Sequence, residues 1–253
     1  MDDLEAAALA IADADRAVAM TGAGVSTASG VPDFRSDGGL WDRYDPEAFH
    51  VGRFERDPGG FWELWLEIQS EVFGEGDIAP NPAHEALAGL EAAGHLDAVV
   101  TQNVDGLHQA AGSDAVIELH GTHDRVECRR CGRKSGAGDA VARARDDECP
   151  PRCDACSGVL KPASVLFGET LPESALIRAH VHAEKSDAFL VAGSSLTVEP
   201  AASLPQTAAE TGATLIVVND DPTPHDGLAA CVFRDDVTDV LPRIRDAVVE
   251  GTD

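Results

Sequence analysis

Two cysteine pairs constrain this chain more than any other feature. Cys128-x2-Cys131 and Cys153-x2-Cys156 stand 21 residues apart. Paired thiols at this spacing predict a closed shell of four thiolates around one structural zinc ion per chain. The segment between them must then fold as a compact module around the metal. Cys149 lies nearby, but using it in place of Cys153 breaks the second pair, so it is left outside the shell. Cys231, in the apolar stretch ACVF, reads as a buried core thiol. A chain of 253 residues with 43% hydrophobic content needs no disulfide frame.

The rest of the chain alternates. RAVAMTGAG, LDAVVTQN, VIELHG, ASVLFGE, DAFLVAGSS and TLIVVNDD are short apolar runs with polar exits, several separated by helical segments. Residues 3–14 carry Leu4, Ala7, Ala8 and Ile11 on one helical face. A second helix is expected after Asn81, with Pro82 in its first turn and Gly94 just past its end. The alternation predicts an α/β fold: a Rossmann-like, mostly parallel sheet with helices on both faces. Residues 1–35, 80–123 and 161–253 are assigned to it. The helical stretch 36–79, which holds Trp41, Trp62 and Trp65, and the cysteine-rich stretch 124–160 are expected to form a smaller domain.

In parallel sheets, ligands sit beyond the carboxyl ends of the strands, so the polar exits are where chemistry is sought. TGAGVSTASGVPDFRS follows the first strand. Gly22 and Gly24 would let backbone approach a phosphate, although the segment departs from GxGxxG and lacks the GK[ST] of a P-loop. His120 lies eight residues before Cys128. Four cysteines already complete a zinc shell, which leaves His120 available for other chemistry at its strand exit. With His108 and His123 close in sequence, position alone does not choose among the three.

Charge excludes some functions. Forty-five acidic residues face 19 basic ones, a formal net of -26, and only Lys134, Lys161 and Lys185 are lysines. Such a surface repels nucleic acid phosphates. The composition resembles that of proteins from salt-accumulating halophilic archaea. No run of about 18 apolar residues occurs, and the acidic N-terminus lacks a signal peptide's basic region, so a soluble cytoplasmic protein, monomeric by default, is expected.

Taken in order, the motifs resemble the sirtuins, the NAD-dependent protein lysine deacylases. GAGVSTASGVPDFR, TQNVDGLH, His120-Gly121, the two cysteine pairs, LFGE, GSSLTVEPA and Asn219 follow that family's order. The resemblance implies a Rossmann-like NAD domain and a zinc module. It implies that Gly22, Ala23 and Gly24 line the diphosphate and that Asp33, Phe34 and Arg35 belong to the cofactor loop, with Phe34 shielding the reactive ribose carbon. Gln102, Asn103 and Asp105 would hold the nicotinamide side, and Gly193, Ser194, Ser195, Asn219 and Asp220 the diphosphate and adenosine side. Val165, Phe167, Gly168 and Glu169 would bind the substrate peptide as an added strand, with Phe167 lining the acyl-lysine tunnel. His120 would be the general base. The implied activity is transfer of an acetyl group from lysine to ADP-ribose, consuming NAD, on acetylated and preferably basic proteins or peptides. Protein mono-ADP-ribosyl transfer and NAD sensing without turnover are the competing expectations. Aligned to relatives that hold acyl carboxylates, Trp65 and Ile68 occupy the positions of the tyrosine and arginine those relatives use. That disfavours succinyl and malonyl chains, though plain core packing is an equal reading for Trp65.

The charge generates the first prediction. Screening should relieve acidic self-repulsion, so the melting temperature should rise from dilute buffer to molar potassium chloride. A melting temperature highest in dilute buffer would contradict it.

Overall fold

The computed structural model describes residues 2–34, 38–73 and 78–251. Nine strands occur among them: β1 (Ala17–Thr21), β2 (Ala98–Thr101), β3 (Val116–Glu118), β4 (Arg125–Cys128), β5 (Lys134–Gly136), β6 (Leu160–Pro162), β7 (Ala188–Ala192), β8 (Thr214–Val218) and β9 (Cys231–Phe233). Six of them form one sheet in the order β3-β2-β1-β7-β8-β9, and every pairing in it is parallel. β1, β2 and β7 are buried along their whole length, which is why they read as unbroken apolar runs.

Alternate side chains feed two cores. Ala17, Ala19, Val99, Leu190, Ala192, Ile216 and Val218 pack with Ile11, Leu87, Leu90, Leu241 and Ile244, which come from the helices Asp3–Ala12, Pro82–Ala92 and Val237–Glu250. Val18, Met20, Val100, Phe189, Val191 and Val217 face the other way, onto the helices Glu173–Lys185 and Leu204–Glu210. The cap expected at Asn81 forms, and Asp2 caps the first helix. The Asp2 carboxylate accepts from the Glu5 N–H at 2.8 Å. Asn81 Oδ1 accepts from the Ala83 N–H at 3.0 Å, and His84 Nδ1 accepts in return from the Asn81 N–H.

A third core joins the two irregular stretches. Phe54, Phe61, Trp62 and Trp65 bury themselves with Val126, Cys128, Ala140, Ala144, Leu160 and Leu166. The indole N–H of Trp62 donates to the Leu160 carbonyl at 2.8 Å. Beside this core lies the antiparallel sheet β5-β4-β6. Trp65 is 5% exposed, with its ring edge-on to Trp62 at 5.2 Å and to His123 at 5.6 Å. Its surroundings are those of a core residue.

One expected strand is absent. ASVLFGE does not enter the parallel sheet; it forms a loop whose only ladder contact among the described residues is an isolated parallel bridge between Phe167 and His50. The loop turns because the Glu169 N–H returns to the Leu166 carbonyl at 3.0 Å, with Gly168 at φ 81° between them. A left-handed residue at that place suits glycine alone. The run looks apolar because Leu166 is buried in the third core, against residues of β4 and β6 and away from the parallel sheet.

The sulfur atoms of Cys128, Cys131, Cys153 and Cys156 all lie within 4.8 Å of one another. Cys128 and Cys156 are 3.5 Å apart, and Cys131 and Cys153 are 3.9 Å apart. Zinc–thiolate bonds of about 2.3 Å in a tetrahedron place the sulfurs about 3.8 Å from each other, so the set fits zinc. Cys149 is turned away, its thiol against the Gly59 carbonyl. His120 takes no part in the cluster. The protein should carry one zinc per chain, and chelation should lower its melting temperature. Full zinc content in a Cys128→Ala, Cys153→Ala double variant would refute this assignment.

Candidate active site

The order of the main sheet reverses at β1, whose neighbours β2 and β7 lead off in opposite directions. Ligand crevices open beyond the carboxyl ends of strands at such a switch point. The exits of β1 and β7 meet there through their backbones. The Gly22 N–H donates to the Ala192 carbonyl at 3.2 Å, and the Gly24 N–H to the Gly193 carbonyl at 2.9 Å. Gly193 has φ 59°, and a Cβ on it would lie 2.3 Å from the Val25 nitrogen. The glycines are therefore required by contact between strand exits, a reason beyond the phosphate approach expected from sequence.

Below this contact lies a buried polar network. Asn103 Nδ2 donates to the Gly22 carbonyl and to Ser26 Oγ, both at 3.0 Å. The Ser26 hydroxyl donates to Asp105 Oδ2 at 2.7 Å, while Asp105 Oδ1 accepts from the Leu107 N–H. Thr21 and Thr101, paired in register at the strand ends, are joined hydroxyl to hydroxyl at 2.9 Å. Since that bond uses the Thr21 proton, His108 Nε2 must donate to Thr21 Oγ1, 2.8 Å away. The His84 and His108 rings are 4.9 Å apart. Burial holds His84 down to about 4 and His108 to about 3, so both are neutral at pH 7. Sequence reasoning missed Thr21, Ser26, His84 and Thr101 as members of this network.

His120 stands at the exit of β3. Its Nδ1 is 3.0 Å from the Gln102 carbonyl, which can only accept, so Nδ1 carries the proton and Nε2 is the basic nitrogen. Burial pushes its pKa below 6.5, against the smaller raising effect of the Gln102 bond. The His120 carbonyl accepts from the Val165 N–H at 2.8 Å, tying the histidine to the LFGE loop. Gln102 Nε2 donates to Ser194 Oγ at 2.8 Å, joining the β2 and β7 exits. Ser195 is exposed, with its hydroxyl 3.0 Å from that of Thr197. Beyond β8, Asn219 Nδ2 donates to the Asp221 carbonyl, and Asp220 is exposed.

Asp33 and Phe34 bond through their carbonyls to the N–H groups of Leu40 and Trp41, whereas Arg35 lies outside the described residues. Phe34 is 39% exposed and Phe167 45%. Trp41 sits between them, 5.3 Å from Phe34 and 5.7 Å from Phe167, with Phe49 at 5.4 Å. The two expected apolar walls are thus one aromatic surface, with Trp41 as a member that sequence reasoning had placed only in the helical stretch. The carboxylate of Glu169, expected at the substrate, is turned inward to Lys161 Nζ and the Leu166 N–H. His123 packs edge-on against Trp65, and its Nδ1 is 2.9 Å from Gln69 Nε2.

A parallel sheet with glycine-packed exits at its switch point, joined to a four-thiolate zinc module, defines a Rossmann-like dinucleotide-binding protein. The Sir2 family model matches residues 22–200, and the chain belongs to that family. It is 54% identical over 244 residues, 96% of this chain and 94% of the relative, to an NAD-dependent protein deacetylase of Haloarcula marismortui. Of the solved structures, a Sir2 homologue mutant in complex with ADP-ribose is similar at a TM-score of 0.89 and 38% identity, covering 100% of this chain and 98% of that one. A Sir2–p53 peptide–NAD+ complex is similar at a TM-score of 0.84 and 36% identity, covering 96% of this chain and 97% of that one.

Proposed function

We propose that the chain is an NAD-dependent protein lysine deacetylase whose base is His120. Acetyl-lysine, NAD and water are converted to lysine, nicotinamide and 2'-O-acetyl-ADP-ribose. The acetyl-amide oxygen attacks ribose C1' as the bond to nicotinamide breaks; the ribose 2'-hydroxyl, relieved of its proton, then attacks the acyl carbon, the bond from that carbon to the lysine nitrogen breaks so that the amine leaves with a proton, and water adds to the acyl carbon to open the ring to the 2'-ester. The observation that carries this reading is the hydrogen bond from His120 Nδ1 to the Gln102 carbonyl. It leaves Nε2 unprotonated and oriented by backbone, as a general base requires. The depressed pKa keeps it in the neutral form at pH 7.

The other roles follow from position. Gly22, Ala23, Gly24, Gly193, Ser194, Ser195, Asn219 and Asp220 bind the diphosphate and adenosine half at the exits of β1, β7 and β8. Asp33, Phe34 and Arg35 form the cofactor loop. Gln102, Asn103 and Asp105 hold the nicotinamide side, and Ser26 sets the direction of the Asp105 carboxylate. The aromatic surface of Phe34, Trp41 and Phe167 keeps water from the cationic ribose centre.

Val165, Phe167, Gly168 and Glu169 receive the peptide through backbone. Phe167 spends both its backbone groups on Phe49 and Val51. Among the described residues the Val165 carbonyl and the Gly168 N–H have no backbone partner and are left for an incoming strand. Glu169 shapes that edge and does not touch the peptide through its carboxylate. Acetyl and longer apolar acyl chains suit the walls, and basic sequences suit the charge. Residues 1–35, 80–123 and 161–253 make the NAD domain, and 36–79 with 124–160 the small domain. Among the described residues no helix is long and apolar enough to cross a membrane. The Haloarcula marismortui relative comes from a halophilic archaeon. The acidic composition suits the same origin for this chain, as a monomer in a salt-rich cytoplasm.

Replacing His120 with Ala should cut acetyl-peptide turnover by about 10²- to 10⁴-fold while zinc content and NAD binding persist. In the wild type, kcat/KM should fall as pH drops and the base is protonated, with the midpoint below 6.5 because burial lowers this pKa. Near-normal turnover by the Ala variant, or a midpoint above 6.5, would contradict the role. Nicotinamide release that leaves ADP-ribose on the protein substrate would favour ADP-ribosyl transfer, and NAD binding without turnover would favour a sensor.

A further inference from the structure

Lys161 lies on β6 of the zinc module, has no part in the chemistry above, and is 6% exposed. Only three lysines occur in this chain, so a buried one is a costly choice. Its ammonium donates to the Ser164 carbonyl and to Glu169 Oε2, both at 2.7 Å. These acceptors are the first and last residues of the loop that presents Phe167. The same Glu169 oxygen accepts from the Leu166 N–H at 3.0 Å. Arg129 pairs with the other carboxylate oxygen at 3.4 Å and with Glu55 at 3.6 Å, so the network reaches the helix Val51–Arg56. Burial pushes the lysine's pKa down, and Glu169 offsets this.

One ammonium therefore clamps both ends of a six-residue loop. Within the loop, the Val165 N–H is committed to the His120 carbonyl, and Phe167 to Phe49 and Val51.

We propose that Lys161 is a positioning residue for the acyl-lysine peptide: it holds the Ser164–Glu169 loop in the geometry that accepts a substrate strand and couples that geometry to the zinc module. It touches neither NAD nor the reacting atoms. The inference rests on the deacetylase reading, because it needs the loop to be the peptide's docking edge. A lysine serving stability alone would, when removed, lower the melting temperature and weaken both substrates alike. A positioning lysine changes peptide parameters selectively.

The test compares wild type, Lys161→Met, Lys161→Arg and Glu169→Gln in molar salt. An acetyl-lysine peptide and NAD are the probes, with steady-state KM for each, calorimetric Kd for NAD, and zinc content. Lys161→Met should raise peptide KM by about tenfold or more with NAD Kd within about twofold and zinc retained. Lys161→Arg, which keeps the charge, should recover much of the loss. Glu169→Gln keeps the shape and removes the opposite charge; it should raise peptide KM by about threefold, and it decides the matter if Lys161→Met does not fold. Unchanged peptide KM in the foldable variants, or equal loss of NAD and peptide affinity, overturns the proposal. A wild type that binds NAD but does not turn over acetyl-peptide would instead overturn the deacetylase reading.

Discussion

Backbone contact between the exits of β1 and β7 is the constraint on which the site depends. Gly22 and Gly24 are hydrogen-bonded to the carbonyls of Ala192 and Gly193, and a Cβ on Gly22, Gly24 or Gly193 would meet atoms at 2.7, 2.9 and 2.3 Å respectively. Such an approach is open only to residues without Cβ. It brings Ser194 within reach of Gln102, and Gln102 holds His120 through its carbonyl. Asn103 reaches back to the Gly22 carbonyl and, through Ser26, orders Asp105. Residues from four strand exits thus share one chain of hydrogen bonds. Interiors of low polarity strengthen such chains and penalise any broken link, which makes the crevice a single preorganised unit.

The zinc module supplies the opposite wall. Its four thiolates hold β4 in a small sheet with β6, and β6 carries Lys161 beneath the Phe167 loop. The third core, shared by Trp62, Trp65, Cys128 and Leu166, binds the helical stretch to the same wall.

Much of the fold was legible. Buried parallel strands appear as continuous apolar runs, and Asn81 with Pro82 marks a helix start by local chemistry alone. The zinc ligands were legible because their spacing is itself the geometry. ASVLFGE was misread, since an apolar run does not say which core will bury it; here Leu166 enters the third core and Gly168 ends any strand. Ser26 and His84 were hidden for another reason. Their partners are distant in sequence, as with Ser26 and Asp105, 79 residues apart, and no periodicity records such contacts. Glu169 shows the limit of resemblance: a motif supplies the residue without saying that its carboxylate faces Lys161.

The account's central claim is that one crevice couples cleavage of NAD to removal of an acetyl group. The most direct measurement is product stoichiometry: nicotinamide, free-lysine peptide and acetylated ADP-ribose quantified together by mass spectrometry over a time course in molar salt. The account predicts equal amounts of all three at every time, and no nicotinamide above background without acetyl-peptide. Nicotinamide formed without deacetylation, or deacetylated peptide formed without loss of NAD, would contradict it.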